Sequence, residues 1–299
     1  MVTLVPPPDP DTLIGTRPAL GAALKIATAA LRAAGIDSAR ADAEWLLAGV
    51  LGIARGALGL HARPLESPDD ARYAVAVRRR MAREPLQHVL GSQAFRHVTV
   101  RVNADAMVPR PETEILAGWA LDLLPPPPRR PLVIDVGTGG GCIACALAFE
   151  RPDAEVIALD VSPRAAALAR ANVVALGLAT RVTVDVSDLF ATLGVMQADV
   201  IVSNPPYLAT GLIDTLPPEV SRYDPRLALD GGPDGLGVIR HLVREAPERL
   251  MPGGALVLET AGGGQLAPVV GLLLAQGFVR VETRPDLAGV ERFVAGRRP

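Results

Sequence analysis

Leu132-Val133-Ile134-Asp135-Val136-Gly137-Thr138-Gly139-Gly140-Gly141 decides the fold class of this chain. The apolar, β-branched run predicts a buried strand, and the glycines that follow at once predict a tight turn into a helix. Glycines at such a turn let the backbone approach a ligand closely and present N–H groups at a helix start. From residue 131 onward, strand candidates at 132–136, 155–160, 181–186, 199–203 and 255–259 alternate with helical patterns such as 163–176 and 237–250. That alternation predicts an α/β fold, a parallel sheet wrapped on both faces by helices. Two further runs, 278–283 and 291–294, fall close together and predict an antiparallel hairpin on the sheet edge.

The glycine turn admits two classes of ligand. Gly139, Gly141 and Ala144 satisfy the weak G-x-G-x-x-G/A form of a dinucleotide fingerprint. Asp135, Gly137, Gly139 and Gly141 match the looser D-x-G-x-G-x-G turn of S-adenosylmethionine-dependent methyltransferases, with Thr138 inside the turn. The second reading places Asp135 near the cationic end of the cofactor. Asp160, at the end of the second strand, is placed to accept ribose hydroxyls. Asp188, after the third strand, falls where such folds contact adenine or, equally, where a helix needs a cap.

At the end of the 199–203 strand stands Asn204-Pro205-Pro206-Tyr207, at the sheet edge where open α/β folds bind ligands. Two consecutive prolines stiffen the segment. The Asn204 amide oxygen and the Pro205 carbonyl can accept two N–H bonds from one NH2 group, and Tyr207 can lie against its face. Such a clamp suits a carboxamide or a nucleobase. The plain alternative is a turn, since Asn and Pro are ordinary turn residues.

Composition narrows the classes. Hydrophobic residues make up 49% and charged residues 21%, which is globular. Net charge is −2 and Lys25 is the single lysine, so there is no electrostatic footprint for general nucleic-acid binding. Residues 1–15 lack the features of a signal or transit peptide, and the longest apolar stretch, 266–279, is too short to span a bilayer. A soluble, cytoplasmic monomer is expected. Cys142 and Cys145 form a C-x-x-C inside an apolar helical run with no second Cys/His pair to complete a zinc site. Helix packing is the favoured reading over a redox dithiol. His61, His88, His97 and His241 lie outside the motifs and read as structural or surface groups.

Upstream, 1–17 is expected to be a flexible N-terminus and 18–84 a helical domain. Leu20, Ala23, Leu24, Ala27 and Leu31 recur at helical steps, as do Ala43, Leu46, Leu47 and Val50. Whether that domain docks a partner or braces the rest stays open. In 85–110, His88-Val89-Leu90-Gly91 and Val98-Thr99-Val100-Arg101-Val102 read as a β-hairpin connector. Pro111 and the Thr113/Glu114 pair predict a helix running to about residue 124, stopped by the prolines at 125–128.

Together these residues resemble the release-factor glutamine methyltransferase family (HemK/PrmC type). The resemblance runs from about residue 85 to 297. It rests on Pro85-Leu86-Gln87-His88-Val89-Leu90-Gly91, Val108-Pro109-Arg110-Pro111-Glu112-Thr113-Glu114, Asp135-Val136-Gly137-Thr138-Gly139 and Asn204-Pro205-Pro206-Tyr207. Tyr223-Asp224-Pro225-Arg226-Leu227-Ala228-Leu229 and Asp286-Leu287-Ala288-Gly289 complete it. The Asn-Pro-Pro-Tyr element is shared with many amino methyltransferases, adenine enzymes included. The Arg-Pro-Glu-Thr-Glu and Pro-Arg-Leu-Ala-Leu segments are more specific. After the fifth strand the family usually shows Glu-Ile-Gly, whereas this chain has Glu259-Thr260-Ala261, and Gly140 also departs from the common pattern.

The resemblance implies a seven-stranded Rossmann-like methyltransferase sheet over 111–299. It also implies methyl transfer from S-adenosylmethionine, leaving S-adenosylhomocysteine, to the Gln of the Gly-Gly-Gln loop of class I peptide chain release factors, which modulates translation termination. Asn204, Pro205 and Tyr207 would then be catalytic, and Pro206 would join them in binding the substrate. Asp135, Gly137, Thr138, Gly139, Gly141, Asp160, Asp188 and Asn204 would hold the cofactor. Arg110 and Glu112 either contact the protein substrate or form a salt bridge at the helix start. Glutamine on a ribosomal protein and adenine N6 in nucleic acid are the alternative targets. An NAD-dependent dehydrogenase would need a hydride-transfer acid or base, and none is evident near Asn204. Gly263-Gly264-Gln265 repeats the substrate tripeptide within the chain and reads as a glycine turn opening a helix.

Overall fold

A computed structural model describes residues 8–60 and 63–299. The chain divides into two compact units, one of residues 1–91 with 218–223, the other of residues 92–217 with 224–299.

The smaller unit is helical. Helices α1 (Leu20–Ala33), α2 (Ala39–Leu51), α3 (Asp69–Met81) and α4 (Leu86–Leu90) enclose an aliphatic core. The three- and four-residue spacing of Leu20, Leu24, Ala27 and Leu31 buries one stripe of α1. Left-handed glycines close α2 at Gly52 and α4 at Gly91. Residues 8–17, expected to be flexible, are instead tied down. A 3-10 turn at Pro10–Leu13 buries Leu13 completely, and the Gly15 N–H donates to Asp70 at 2.7 Å. The rest of that expectation, residues 1–7, and the reading of His61 lie outside the described residues. His88 is buried, while His97 and His241 are exposed.

The expected first hairpin arm at 88–91 is corrected. His88-Val89-Leu90 belongs to α4, and the hairpin forms one step later. Gly91 supplies the left-handed cap that ends the helix and lets the strand begin.

Arg80, almost wholly buried, donates to Asp42 at 2.7 Å and to Glu219 at 2.9 Å, and Arg83 donates to the other Glu219 oxygen at 2.8 Å. The short segment around Pro218–Ser221 is thus pinned to α3 within the same unit. Arg80→Met should cost about 3 kcal/mol of unfolding free energy, because buried Asp42 would lose the cation that pairs with it, while Glu219 would be left with Arg83. Urea unfolding followed by circular dichroism reads the effect, and an unchanged midpoint would contradict it.

The larger unit opens with the hairpin β1 (Ser92–Phe95) and β2 (Val98–Arg101), then α5 (Pro111–Leu123). Next come β3 (Leu132–Val136), α6 (Cys142–Glu150), β4 (Glu155–Asp160), α7 (Pro163–Ala175), β5 (Val182–Val186) and β6 (Ala198–Ser203). Helix α8 (Gly237–Arg249), β7 (Leu250–Glu259), α9 (Leu266–Ala275), β8 (Val279–Pro285) and β9 (Glu291–Arg297) complete it. The sheet has seven strands in the order β5-β4-β3-β6-β7-β9-β8. The first five are parallel, and β9 and β8 form the antiparallel edge hairpin.

Alternation along the strands fills two apolar layers. Val133 faces the layer with Trp119 and Leu147, while Ile134 and Val136 face the layer with Ile239 and Leu273. Covered on both sides, such strands read as continuous apolar runs. Each large side chain removed from water here contributes about 1.5–3 kcal/mol. Arg284 also stacks its guanidinium 4.5 Å from the Trp119 ring centre.

The strand order reverses between β3 and β6, because β3 pairs with β4 on one side and with β6 on the other. A cleft at the carboxyl ends of these strands is where such sheets bind ligands.

Candidate active site

At that switch point lies a cavity of about 370 Å³, within the size range of small-molecule sites. Its walls are the segments that leave four successive parallel strands: 136–140 after β3, 160–162 after β4, 187–189 after β5 and 203–206 after β6. Residues 105–109 and parts of 225–230 line it as well.

Gly137 and Gly139 adopt left-handed backbone at φ 71° and 56° and line the cavity with Thr138. Asp160 holds the turn from outside. Its two carboxylate oxygens accept from the N–H groups of Gly139 and Ser162, each at 2.8 Å, and it also lines the cavity. Burial raises its pKa, with those two N–H donors opposing. Asp188 is exposed on the cavity wall, and Ser187 rather than Asp188 provides the local side-chain cap, accepting from the Thr192 N–H. Leu189 beside it carries φ 45°, a strained conformation of the kind that collects at ligand sites.

Two expected cofactor residues lie elsewhere. Asp135 is wholly buried beneath the turn and does not line the cavity. One of its oxygens accepts from the Thr138 hydroxyl at 2.6 Å and from the Ala144 N–H at 3.1 Å, so it shapes the loop from within. Burial pushes its carboxyl up to about 7. Gly141 has φ 82°, and a Cβ there would sit 3.2 Å from the Ala169 backbone, so its role is close packing of α6 on α7. Asn172, which sequence reading passed over, is buried and ties the turn to the hairpin. Its amide donates to the Gly140 and Arg101 carbonyls and accepts from the Arg101 N–H.

Asn204 and Pro205 line the cavity. The Asn204 Nδ2 donates to Thr113 Oγ1 at 3.0 Å, which turns the amide oxygen away from Thr113. The Thr113 hydroxyl donates in turn to Glu259 Oε2 at 2.9 Å. Ser203 clamps the strand end below by donating to the Val136 carbonyl at 2.6 Å.

Tyr207, expected against the face of the bound group, is not part of the cavity wall. Its hydroxyl donates to Glu259 Oε1 at 3.1 Å and its ring packs with the apolar layer of α8 and α9. A phenol that would be buried needs a partner, and Glu259 supplies it from behind the loop. Desolvation and the neighbouring Glu259 raise its pKa. Burial also pushes Glu259 up to about 7, against the opposing effect of the Thr113 and Tyr207 hydroxyls.

Arg110 and Glu112 likewise lie outside the cavity lining. Arg110 donates to Asp224 at 2.6 Å, a pair that braces the 225–230 wall rather than one facing the cleft. Cys142 and Cys145 are free, and burial raises both thiol pKa values, which disfavours the thiolate form at either. The internal Gly263-Gly264-Gln265 forms a short 3-10 turn ahead of α9. Gln265 Nε2 donates to the Tyr207 carbonyl at 2.9 Å and its oxygen accepts from the Ala261 N–H, so this glutamine braces the 204–207 loop from behind.

The arrangement offers an aliphatic, carboxylate-flanked cavity that Asn204 and Pro205 also line. The donor set suits an adenosyl cofactor: backbone amides at a glycine turn, a half-buried acid at the next strand end, and a hydroxyl- and proline-rich far wall.

Comparison with known proteins points the same way. Residues 22–91 match the PrmC N-terminal domain family and residues 120–215 the methyltransferase small domain family. A release factor glutamine methyltransferase of Deinococcus radiodurans is 46% identical over 91% of this chain and 96% of its own length. One from Cereibacter sphaeroides is 44% identical over 93% of this chain and 98% of its own. Among solved structures, a methyltransferase from Pyrococcus furiosus shares the fold at 19% identity, with a TM-score of 0.51 over 67% of this chain and 88% of that one.

Proposed function

The chain belongs to the release factor glutamine methyltransferase family, and on that premise we propose that its cavity binds S-adenosylmethionine and presents it to the Gln amide of a Gly-Gly-Gln loop in class I peptide chain release factors. The observation that carries the reading is the orientation of Asn204. With Nδ2 taken by Thr113, its Oδ1 is left as an acceptor beside the cavity that Pro205 also lines.

An amide nitrogen is a poor nucleophile because its lone pair is delocalised into the carbonyl. When bound, the sulfonium cofactor supplies an already activated methyl group, so the protein needs no strong base before transfer. Its own task is positioning. Asn204 Oδ1 and the Pro205 carbonyl accept the two N–H bonds of the substrate amide, concentrate electron density on nitrogen and fix its approach. Successive prolines hold these acceptors with little freedom to lose.

Gly137, Thr138, Gly139, Asp160 and Asp188 are assigned to the cofactor. Asp135 and Gly141 act on it only through the shape of the turn. Tyr207 and Arg110 are assigned to the support of the loops around the substrate.

Adenine presents an NH2 group to the same clamp. Net charge of −2 and an aromatic content of 3% argue against a nucleic-acid recognition surface. Labelled S-adenosylmethionine, offered with purified release factor or with nucleic acid, should mark the release factor alone. Label on nucleic acid and none on the release factor would overturn the assignment.

A further inference from the structure

Glu259 is 1% exposed and Thr113 3% exposed, and the two lie 146 residues apart in sequence. Glu259 accepts on both oxygens, from the Thr113 hydroxyl at 2.9 Å and from the Tyr207 phenol at 3.1 Å. Thr113 accepts from Asn204 Nδ2 at 3.0 Å.

The geometry points to a directional hydrogen-bond relay, Glu259 to Thr113 to Asn204, that decides which end of the Asn204 amide faces the cavity. Thr113 and Glu259 are thereby positioning residues for methyl transfer to an amide nitrogen. The inference rests on the functional reading above and adds the source of the clamp's polarity.

A carboxylate only accepts, and a hydroxyl carries one proton. With that proton committed to Glu259, Thr113 has only lone pairs left to offer. The NH2 end of Asn204 satisfies them, whereas its oxygen end would be repelled. Oδ1 is therefore left to accept from the substrate amide. An inverted Asn204 would set donors against donors. The two faces of an Asn side chain are almost identical in shape, so packing alone does not choose between them. Tyr207 occupies the second Glu259 oxygen, which keeps the carboxylate in place behind the loop.

Three variants separate this relay from simple packing. Thr113→Val keeps the shape and removes the hydroxyl, and Thr113→Ser keeps the hydroxyl. Glu259→Gln sets one acceptor and one donor where two hydroxyls now donate, so that Thr113 and Tyr207 compete for the single remaining acceptor. Each is assayed with labelled S-adenosylmethionine and purified release factor, at a pH well above the value of about 7 that burial gives Glu259, so that the wild-type carboxylate is charged. Cofactor affinity by calorimetry and the thermal midpoint are measured alongside.

Thr113→Val and Glu259→Gln should lower kcat about tenfold or more, since a misdirected partner at the reacting group forfeits much of one positioned hydrogen bond. Thr113→Ser should return kcat to within about threefold of wild type, and the double variant should be little worse than either single one, as expected for groups acting through one chain of contacts. Cofactor affinity should stay near wild type, and the thermal midpoint of Thr113→Val should fall by a few degrees because the buried Glu259 carboxylate loses one donor. Wild-type kcat in Thr113→Val, or equal losses in the Val and Ser variants, would overturn the relay while leaving the functional reading intact. A wild-type protein that leaves the release factor unlabelled would remove the functional reading, and the relay with it.

Discussion

Asn204→Ala should lower kcat for release-factor methylation about 10²–10³-fold, the usual loss when one preorganised hydrogen-bond partner is removed from a reacting group. The change deletes the Oδ1 acceptor and leaves the Pro205 carbonyl alone to hold an amide that can then rotate. Thr113 would lose its donor, but it keeps its bond to Glu259, so the loop behind the clamp stays supported. The cofactor-binding segments at 137–139 and 160–162 belong to other strand ends and should keep their affinity. Steady-state kinetics with both substrates, together with a cofactor titration, distinguish the two effects. Loss of cofactor affinity equal to the loss of kcat would mean that Asn204 serves the cofactor rather than the methyl acceptor.

Gly235→Ala, at a position outside the motifs, should be nearly as damaging. Gly235 has φ 75°, and a methyl group added there would collide with the Tyr207 carbonyl oxygen and come within 2.9 Å of Gln265 Nε2. A left-handed alanine costs about 1–2 kcal/mol before any collision is counted. The collision itself is with backbone, which a rotamer change cannot relieve. The 204–207 loop must move, and displacement by an ångström can cost about 100-fold in rate. The expected result is a lowered thermal midpoint and a kcat loss of that order with a smaller change in cofactor affinity. Wild-type kcat would show that the loop tolerates movement and that its stiffness is not part of catalysis.

Strand ends were the legible part of this protein. The bounds of β3 and β4 follow directly from apolar runs closed by glycine or Asp, because a strand buried on both faces has little freedom in composition. β7 is longer than its apolar run, starting at Leu250 rather than at 255, since Gly253 and Gly254 interrupt the pattern without ending the strand. His88-Val89-Leu90 is helical although its apolar run was read as strand; so short a run has no distinguishable period, and Gly91 decides the matter.

The site was legible to the same depth. Asn204, Pro205, Gly137 and Asp160 follow strands and line the cavity as their positions suggest. What sequence could not display is how side chains from distant strand ends meet. Asn204 reaches Thr113 across 91 residues, and Thr113 reaches Glu259 across 146. Thr113 sits in a recognisable segment and Glu259 ends a strand, but neither position signals the other. Tyr207 shows the same limit, because a phenol beside two prolines gives no hint of whether its partner lies in the cleft or behind it.

On the proposed function, the clamp of Asn204 and Pro205 receives a glutamine amide. Tandem mass spectrometry of release factor incubated with this protein and S-adenosylmethionine tests it most directly. One added methyl group is expected on the side-chain nitrogen of the Gln in the Gly-Gly-Gln tripeptide, with its rate of appearance lowered about 10²–10³-fold when Asn204→Ala replaces the wild-type protein under the same conditions. A methyl group on any other residue, or the same modification at the wild-type rate from Asn204→Ala, would contradict it.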